Sequence, residues 1–444
     1  MHLITPDVHH ALLTARSASG SVIYTDDGKR ILDGCSGAIA CSLGYGHGHV
    51  IDKMLEHACL LSAAYRTQFL NDPAQQLAER LCCKLGYAGA FFVNSGSEAV
   101  ETACRMAVQY WNEKGLSPKK HILSRNISYH GSTKATLSLS GHWPRRRGVC
   151  SPAERPTLPT PYCYRCPYGK TPDTCQLACA HALTTQLGEI GSEHVAAVLI
   201  EPITGASGAA IVPPAGYLET IRAICDRHNI LLIADEVLTA MGRTGKWLAI
   251  EHGNVQADIS ILGKGLNAGY FPISGVLVCG SIKEAIESGS GIFPHGHTHS
   301  NHPIGAAAAN AVLDVIETED LVSLTAEREL LIESHLRNLL QTSPLIGDIR
   351  GKGMFWGMEI VREKAAKRTF ASDSAVSGKL VRHALSKGLN LYPSAGFAAF
   401  EHGDALIFAA PLNTCTDILD EMLSLLREVI YSAPDFLRKE SIHA

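Results

Sequence analysis

The sequence predicts an α/β fold: a large domain with a mainly parallel sheet covered by helices, joined to a smaller α+β domain built from both termini. Three observations carry that expectation. From about residue 60 to 320, short apolar runs alternate with helical patterns, the order in which strands and covering helices follow one another in a parallel sheet. Several runs are apolar throughout, as strands buried on both faces must be. Asn94, Glu201, Asp235 and Lys264 stand at or just beyond the carboxyl ends of such runs, where open α/β sheets gather ligands.

Residues 1–60 open the smaller domain. Strands Ser21–Thr25 and Arg30–Asp33 flank Asp26-Asp27-Gly28, a turn sequence that readily takes positive φ. Residues 61–320 make the large domain, with strands expected at Ala90–Asn94, His121–Arg125, Ala197–Glu201, Leu231–Asp235, Ile259–Leu262 and Gly275–Cys279. Asn94-Ser95-Gly96-Ser97-Glu98-Ala99 follows the first of these and opens a helix, because Ala99, Ala103, Met106 and Tyr110 recur at helical spacing. A cysteine-rich insert occupies about residues 145–182. Residues 321–444 complete the smaller domain with helices Glu327–Gln341 and Asp417–Tyr431 and strands near Met354–Ile360 and Ala405–Ala409. The chain carries no internal repeat and no long low-complexity segment.

Composition narrows the function classes. A chain of 444 residues with 46% hydrophobic and 18% charged residues has the make-up of an ordinary soluble enzyme with an ample core. A net charge of −4 gives no long-range field to recruit nucleic acid or anionic membrane, and Arg145-Arg146-Arg147 reads as a solvated loop. No uninterrupted apolar segment reaches membrane-spanning length, and Met1-His2-Leu3-Ile4-Thr5-Pro6 lacks a signal-peptide layout, so a cytoplasmic location is expected. The fourteen cysteines then read as reduced thiols or metal ligands before disulfides.

Lys264 and Asp235 supply the sharpest chemical signal. Each closes an apolar strand, so the fold brings both to one edge of the sheet. A lysine can form an imine with an aldehyde while an acid pairs with a ring nitrogen, and pyridoxal phosphate requires both groups. Its phosphate needs unhindered N–H donors, which the helix start at Ser95, Gly96 and Ser97 offers. Alone, that turn reads first as a plain N-cap; upstream of an Asp–Lys pair at strand ends it gains its meaning. Tyr129 could stack on one ring face and Val237, two residues past Asp235, could close the other.

Together these segments resemble the class III pyridoxal-phosphate aminotransferases of fold type I, over nearly the whole chain. The markers include Asp27-Gly28-Lys29-Arg30-Ile31-Leu32-Asp33, Gly46-His47-Gly48-His49, the Asn94–Ala99 turn, Tyr129-His130-Gly131 and Glu201-Pro202. Leu232–Val237, Gly242-Arg243-Thr244-Gly245, Gly263-Lys264-Gly265 and His297–Pro303 follow in the family's order. The resemblance implies Lys264 as the Schiff-base lysine, Asp235 on the ring nitrogen, Tyr129 and Val237 on the ring faces, and Gly96 and Ser97 at the phosphate. It further implies that Thr298 reaches the phosphate in a neighbouring subunit, so the active unit would be a homodimer with shared sites, or a tetramer of such dimers.

Two departures bear on substrate. Members of the resembled family acting on 4-aminobutyrate or ornithine carry an arginine before the C-terminal Pro-Leu strand and a glutamate after the Glu-Pro pair. This chain has Ile407 and Ala206 at those places. Losing both partners is coherent, because losing one would strand a buried charge. Ala206 is similar to the amine and ω-amino acid:pyruvate subgroup, yet Phe400-Glu401-His402-Gly403-Asp404 lacks the mobile arginine often found there. A substrate carboxylate would therefore need Arg66 or Arg243, unless the donor has none near that wall.

The insert reads in three ways. Cys163 and Cys166, then Cys175 and Cys179, have four-thiolate metal spacing, could stay free thiols, or could form a disulfide or redox switch. Pro152, Pro156, Pro159 and Pro161 predict an ordered, non-helical loop around them. His295, His297, His299 and His302 invite a metal reading too, which the resemblance displaces in favour of the phosphate and subunit interface. The reading reached is an aminotransferase passing an amino group from a primary amine or ω-amino acid to an oxo acid, pyruvate ahead of 2-oxoglutarate. A racemase, epimerase or decarboxylase on the same scaffold is the alternative. A silent binding protein has no evident need for the Lys264–Asp235 pair.

Overall fold

Strands that are apolar on both sides leave no face for water, and the chain buries them at the centre of a six-stranded sheet. The computed structural model describes residues 2–5, 11–151, 156–399 and 401–442, so Met1, Pro6, Pro152 and Phe400 lie outside the described residues. In chain order the strands are β1 (Ala15–Ser19), β2 (Val22–Thr25), β3 (Arg30–Asp33), β4 (Gly89–Val93), β5 (His121–Leu123), β6 (Val195–Ile200) and β7 (Leu231–Asp235). Then follow β8 (Ile259–Leu262), β9 (Ser274–Val278), β10 (Ile346–Lys352), β11 (Phe355–Ile360), β12 (Leu389–Asn390), β13 (Tyr392–Ala399) and β14 (His402–Phe408).

The central sheet has the order β4-β9-β8-β7-β6-β5. Strands β5 to β8 pair in parallel, and β9 lies antiparallel between β8 and β4. Every residue of β6 to β9 is buried. Alternate side chains serve opposite faces. Leu199, Ile233 and Ile261 pack with Ala99, Ala103 and Met106 of helix Gly96–Glu113. Val198, Leu232 and Leu262 belong to the larger core with Leu183, Ile221 and Val312 from helices Ala178–Ile190, Tyr217–Arg227 and Pro303–Thr318. Each such aliphatic side chain contributes roughly 1.5–3 kcal/mol when fully buried.

Two smaller sheets complete the chain. Strands β10-β11-β14-β13 are antiparallel and are backed by helices Leu321–Thr342 and Val376–Ser386. Strands β1-β2-β3-β12 join distant parts of the sequence, because β12 pairs in parallel with β3 and sets Leu389 opposite Leu32. The expected hairpin forms around Gly28, whose φ is 80°. Among the described residues no helix is long and apolar enough to cross a membrane.

The expected strands of the large sheet all form, with ends displaced for local reasons. β4 stops at Val93 because the Asn94 N–H turns to Glu98 Oε2, 2.8 Å away, and starts the next helix. β5 stops at Leu123 rather than Arg125, since the Ser124 hydroxyl donates to Leu139 O (2.6 Å) and buried Arg125 donates to Glu201 O. Strands β1, β10, β12 and β13 lie outside the sequence expectation. β13 contains Pro393 and Gly396, which ordinarily break strands, and it is tolerated because it lies at a sheet edge.

Candidate active site

The carboxyl ends of β6, β7 and β8 and the start of helix Gly96–Glu113 converge on one cavity of about 230 Å³. Its wall brings together Ser95, Gly96, Ser97, Tyr129, Asp235, Val237 and Lys264, all of which the sequence had marked. Arg145, Glu201, Ile203, Ala206, Leu238 and Tyr392 line it as well.

Lys264 leaves β8 with a left-handed backbone, φ 41°, a conformation that costs an L-residue about 1–2 kcal/mol. The preceding glycine is needed for space: a Cβ on Gly263 would stand 2.9 Å from Ser274 Oγ and 3.1 Å from Val237 Cγ1. Burial, and after it the charge of Arg145, pushes the Lys264 ammonium down to about 8.

Asp235 is fixed at both oxygens. Its Oδ2 lies 2.7 Å from His130 Nδ1, and its Oδ1 accepts the Val237 N–H at 3.1 Å. A carboxylate only accepts, so the imidazole proton sits on Nδ1. Both side chains are buried, and His130 Nε2 has no partner. Glu236, next along, holds the loop by accepting the N–H groups of Ala249 (2.9 Å) and Ile250 (2.7 Å). Glu201 accepts the N–H of Tyr129 (3.2 Å) and of Gly205 (2.8 Å), and burial raises its carboxyl above the ordinary range.

The opposite end of the cavity is rich in donors. Ser95 caps the helix by accepting the Glu98 N–H at 3.2 Å, which leaves the first-turn amides pointing outward. Ser97 Oγ accepts the Ser132 N–H at 3.0 Å, and a Cβ on Gly131 would lie only 2.4 Å from that oxygen. A Cβ on Gly96 would meet Val237 Cγ1 at 3.2 Å, so this turn presses close to the Val237 side chain. The Tyr129 hydroxyl bonds to Ser132 Oγ at 2.6 Å. Amide donors, a fixed carboxylate, a lone amine and two broad side chains complement a phosphate, a ring nitrogen, an aldehyde and an aromatic ring. The residues present fit pyridoxal phosphate.

The other marked residues lie elsewhere. Thr298 is exposed in the segment before helix Pro303–Thr318 and does not line the cavity. Arg66 lines a separate cavity with Phe69, Asn71 and Asn301, its guanidinium 5.9 Å from the Phe91 ring centre. Arg243 is enclosed, donating to Met354 O (3.2 Å), Ala410 O (2.6 Å) and Ser36 Oγ (3.3 Å). His295 packs edge-on against Phe293, and His302 tilts over Phe271. Cys163, Cys166, Cys175 and Cys179 share one small cavity as free thiols, and burial raises Cys163 and Cys179. Among the described residues no three His, Cys, Asp or Glu side chains are arranged to hold a metal.

The arginine run corrects the sequence expectation of a solvated loop. Only Arg147 is exposed, facing Glu401 at 3.2 Å. Arg146 is fully buried and donates to the carbonyls of Leu137, Ser138, Ser140 and Ser151. Arg145 enters the cavity. The reason is local: the carbonyls of Leu137, Ser138 and Ser140, where helix Lys134–Leu139 ends, lie together with that of Ser151, and one guanidinium donates to all of them. His130, Glu201 and Tyr392 were not assigned these contacts from sequence. For His130 a signal existed in its place beside Tyr129; Tyr392 gave none.

Residues 3–430 match the family model described as Aminotransferase class-III. The chain is 41% identical to "Uncharacterized aminotransferase YodT" of Bacillus subtilis, covering 99% of both proteins. It is 32% identical to "Putrescine--pyruvate aminotransferase" of Pseudomonas aeruginosa (93% of this chain, 89% of the relative). A third relative, "Diaminobutyrate--2-oxoglutarate transaminase" of Halomonas elongata, is 31% identical (95% and 90%). Among solved structures, a PLP-bound amine transaminase from an uncultivated Pseudomonas species superposes with a TM-score of 0.90 at 31% identity, covering 98% of each chain.

Proposed function

The chain belongs to the class III aminotransferases, and from that premise we propose that it passes an amino group from a primary amine or ω-amino acid to pyruvate in preference to 2-oxoglutarate. It is a pyridoxal-phosphate-dependent transaminase. The observation supporting the acceptor is the wall formed by Ile203, Ala206 and Leu238, with fully buried Ile407 in the apolar cluster behind it. A second carboxylate pressed against that wall would lose its hydration without gaining a partner. With one amine donor held constant, kcat/KM for pyruvate is expected to exceed that for 2-oxoglutarate at least about tenfold. The reverse order in initial-rate measurements would overturn the reading.

When bound, the coenzyme supplies an aldehyde that takes the amino group and a cationic ring that accepts the electron pair from the donor carbon. In this reading Lys264 Nζ tethers the aldehyde, then holds the proton as it leaves the donor carbon and delivers it again. Asp235 keeps a proton on the ring nitrogen. His130, by donating to Asp235 Oδ2, holds that carboxylate correctly turned toward the cavity. Ser95, Gly96 and Ser97 anchor the phosphate, and Tyr129 and Val237 confine the ring. Thr298, exposed within its own chain, fits the part of a phosphate ligand for a neighbouring copy in a homodimer. A cytoplasmic setting suits its small-molecule substrates.

The lowered Lys264 gives a pH prediction. Only the neutral amine is nucleophilic, so capture of the coenzyme by ligand-free protein should level off above about pH 8. Below that it should slow about tenfold per pH unit. Stopped-flow absorbance measures it, and a rate flat from pH 6 to about pH 10 would contradict the assignment of the titrating group.

A further inference from the structure

Among the described residues Arg145 is the one arginine on the cavity wall, and its surroundings are unusual for a guanidinium. The short helix Trp143–Arg146 presents it, held from behind by His142, whose Nε2 lies 2.7 Å from Ala395 O, and by buried Arg146. The Arg145 Cζ stands 4.0 Å from the centre of the Tyr129 ring, and Nη2 donates to the Tyr392 hydroxyl at 3.1 Å. Nη1 is shielded from solvent and has no hydrogen-bond partner. Among the described residues no carboxylate lies within ion-pair distance of it. Asp235 is occupied by His130 and the Val237 N–H, and Glu201 by the N–H groups of Tyr129 and Gly205.

A half-buried guanidinium with one nitrogen shielded from water, no counter-charge and a free donor there invites an anion. Of the charged side chains Arg145 also acts most strongly on Lys264, which sets its charge beside the reacting amine. The guanidinium fork matches a planar carboxylate, and the hydroxyl of Tyr392, at the start of edge strand β13, steers it. Arg66 lies in another cavity and Arg243 has its donors engaged, so neither competes for this part.

We propose that Arg145 is the specificity-determining residue that binds the carboxylate of the oxo-acid acceptor and of the amino acid formed from it. The inference rests on the transaminase reading and deepens it. A donor amine that lacks a carboxylate makes no demand on this group. A guanidinium that retains its Tyr129 and Tyr392 contacts can therefore admit both half-reactions through one cavity.

The test compares pyruvate with propanal, which has the same carbon count but no carboxylate, as acceptors for one amine donor. In Arg145→Gln the ratio of kcat/KM for pyruvate over propanal should fall about 10- to 100-fold, mainly through the KM for pyruvate. Arg145→Lys should recover part of it, and Tyr392→Phe should lower it by about three- to tenfold. Calorimetric binding of propionate to the wild-type holoenzyme gives a readout independent of turnover, and its affinity should fall at least about tenfold in Arg145→Gln. A ratio and a propionate affinity both unchanged in Arg145→Gln would overturn the inference while leaving the transaminase intact. Wild-type protein that turns over no oxo acid would overturn the functional reading instead, and the propionate measurement would then decide on Arg145 alone.

Discussion

Lys264→Ala is expected to lower kcat by roughly 10⁴-fold or more, the largest effect of any single substitution in this chain. On the proposed assignment two tasks are lost together: the tether to the aldehyde and the group that moves the proton. The phosphate and ring contacts remain, so the variant should still bind the coenzyme, now reversibly and removable by dialysis. Lys264→Arg should not restore turnover, because a guanidinium stays protonated and cannot act as nucleophile or base. Absorbance of the dialysed protein and initial rates read the two losses separately. An alanine variant at wild-type rate would end the assignment.

Asp235→Asn should lower kcat by about 10²- to 10³-fold with a smaller change in coenzyme retention. Asparagine has nearly the same shape and its carbonyl can accept from His130 Nδ1, 2.7 Å from the present oxygen. What disappears is the negative charge that favours a protonated ring, so the deficit falls on the chemical step rather than on binding. Asp235→Ala adds a second loss by leaving buried His130 without either partner, and should also destabilise the fold by about 1–3 kcal/mol. Thermal melts of the two variants beside their kcat values separate the contributions. Equal kcat in the asparagine variant and the wild type would contradict an electrostatic role.

The residues legible in the sequence share a property: each is announced by its own strand. Lys264 and Asp235 terminate apolar runs, and the parallel pairing of β7 with β8 then places them together. Ser95 to Ser97 are marked by the helix that follows, and Val237 by its two-residue offset from Asp235. Arg145 had no such marker. Nothing in the run itself distinguishes it from Arg146 and Arg147: the fates of Arg145 and Arg147 depend on Tyr392 and Glu401, far along the chain, and that of Arg146 on carbonyls at the nearby end of helix Lys134–Leu139. Tyr392 was hidden for a related reason, because Pro393 and Gly396 disguise an edge strand as a loop. Arg66 was named from the sequence, beside Arg243, as a holder for a substrate carboxylate, and the fold points it into another cavity of its own chain.

The left-handed backbone at Lys264 sets function against robustness at a single position. Glycine would relax that torsion, and with the amine gone nothing cationic would remain to be dehydrated there. A laboratory search for heat tolerance that ignored turnover would therefore drift toward Lys264→Gly and recover a sturdier, inert protein. The lysine persists only under continuous selection for chemistry.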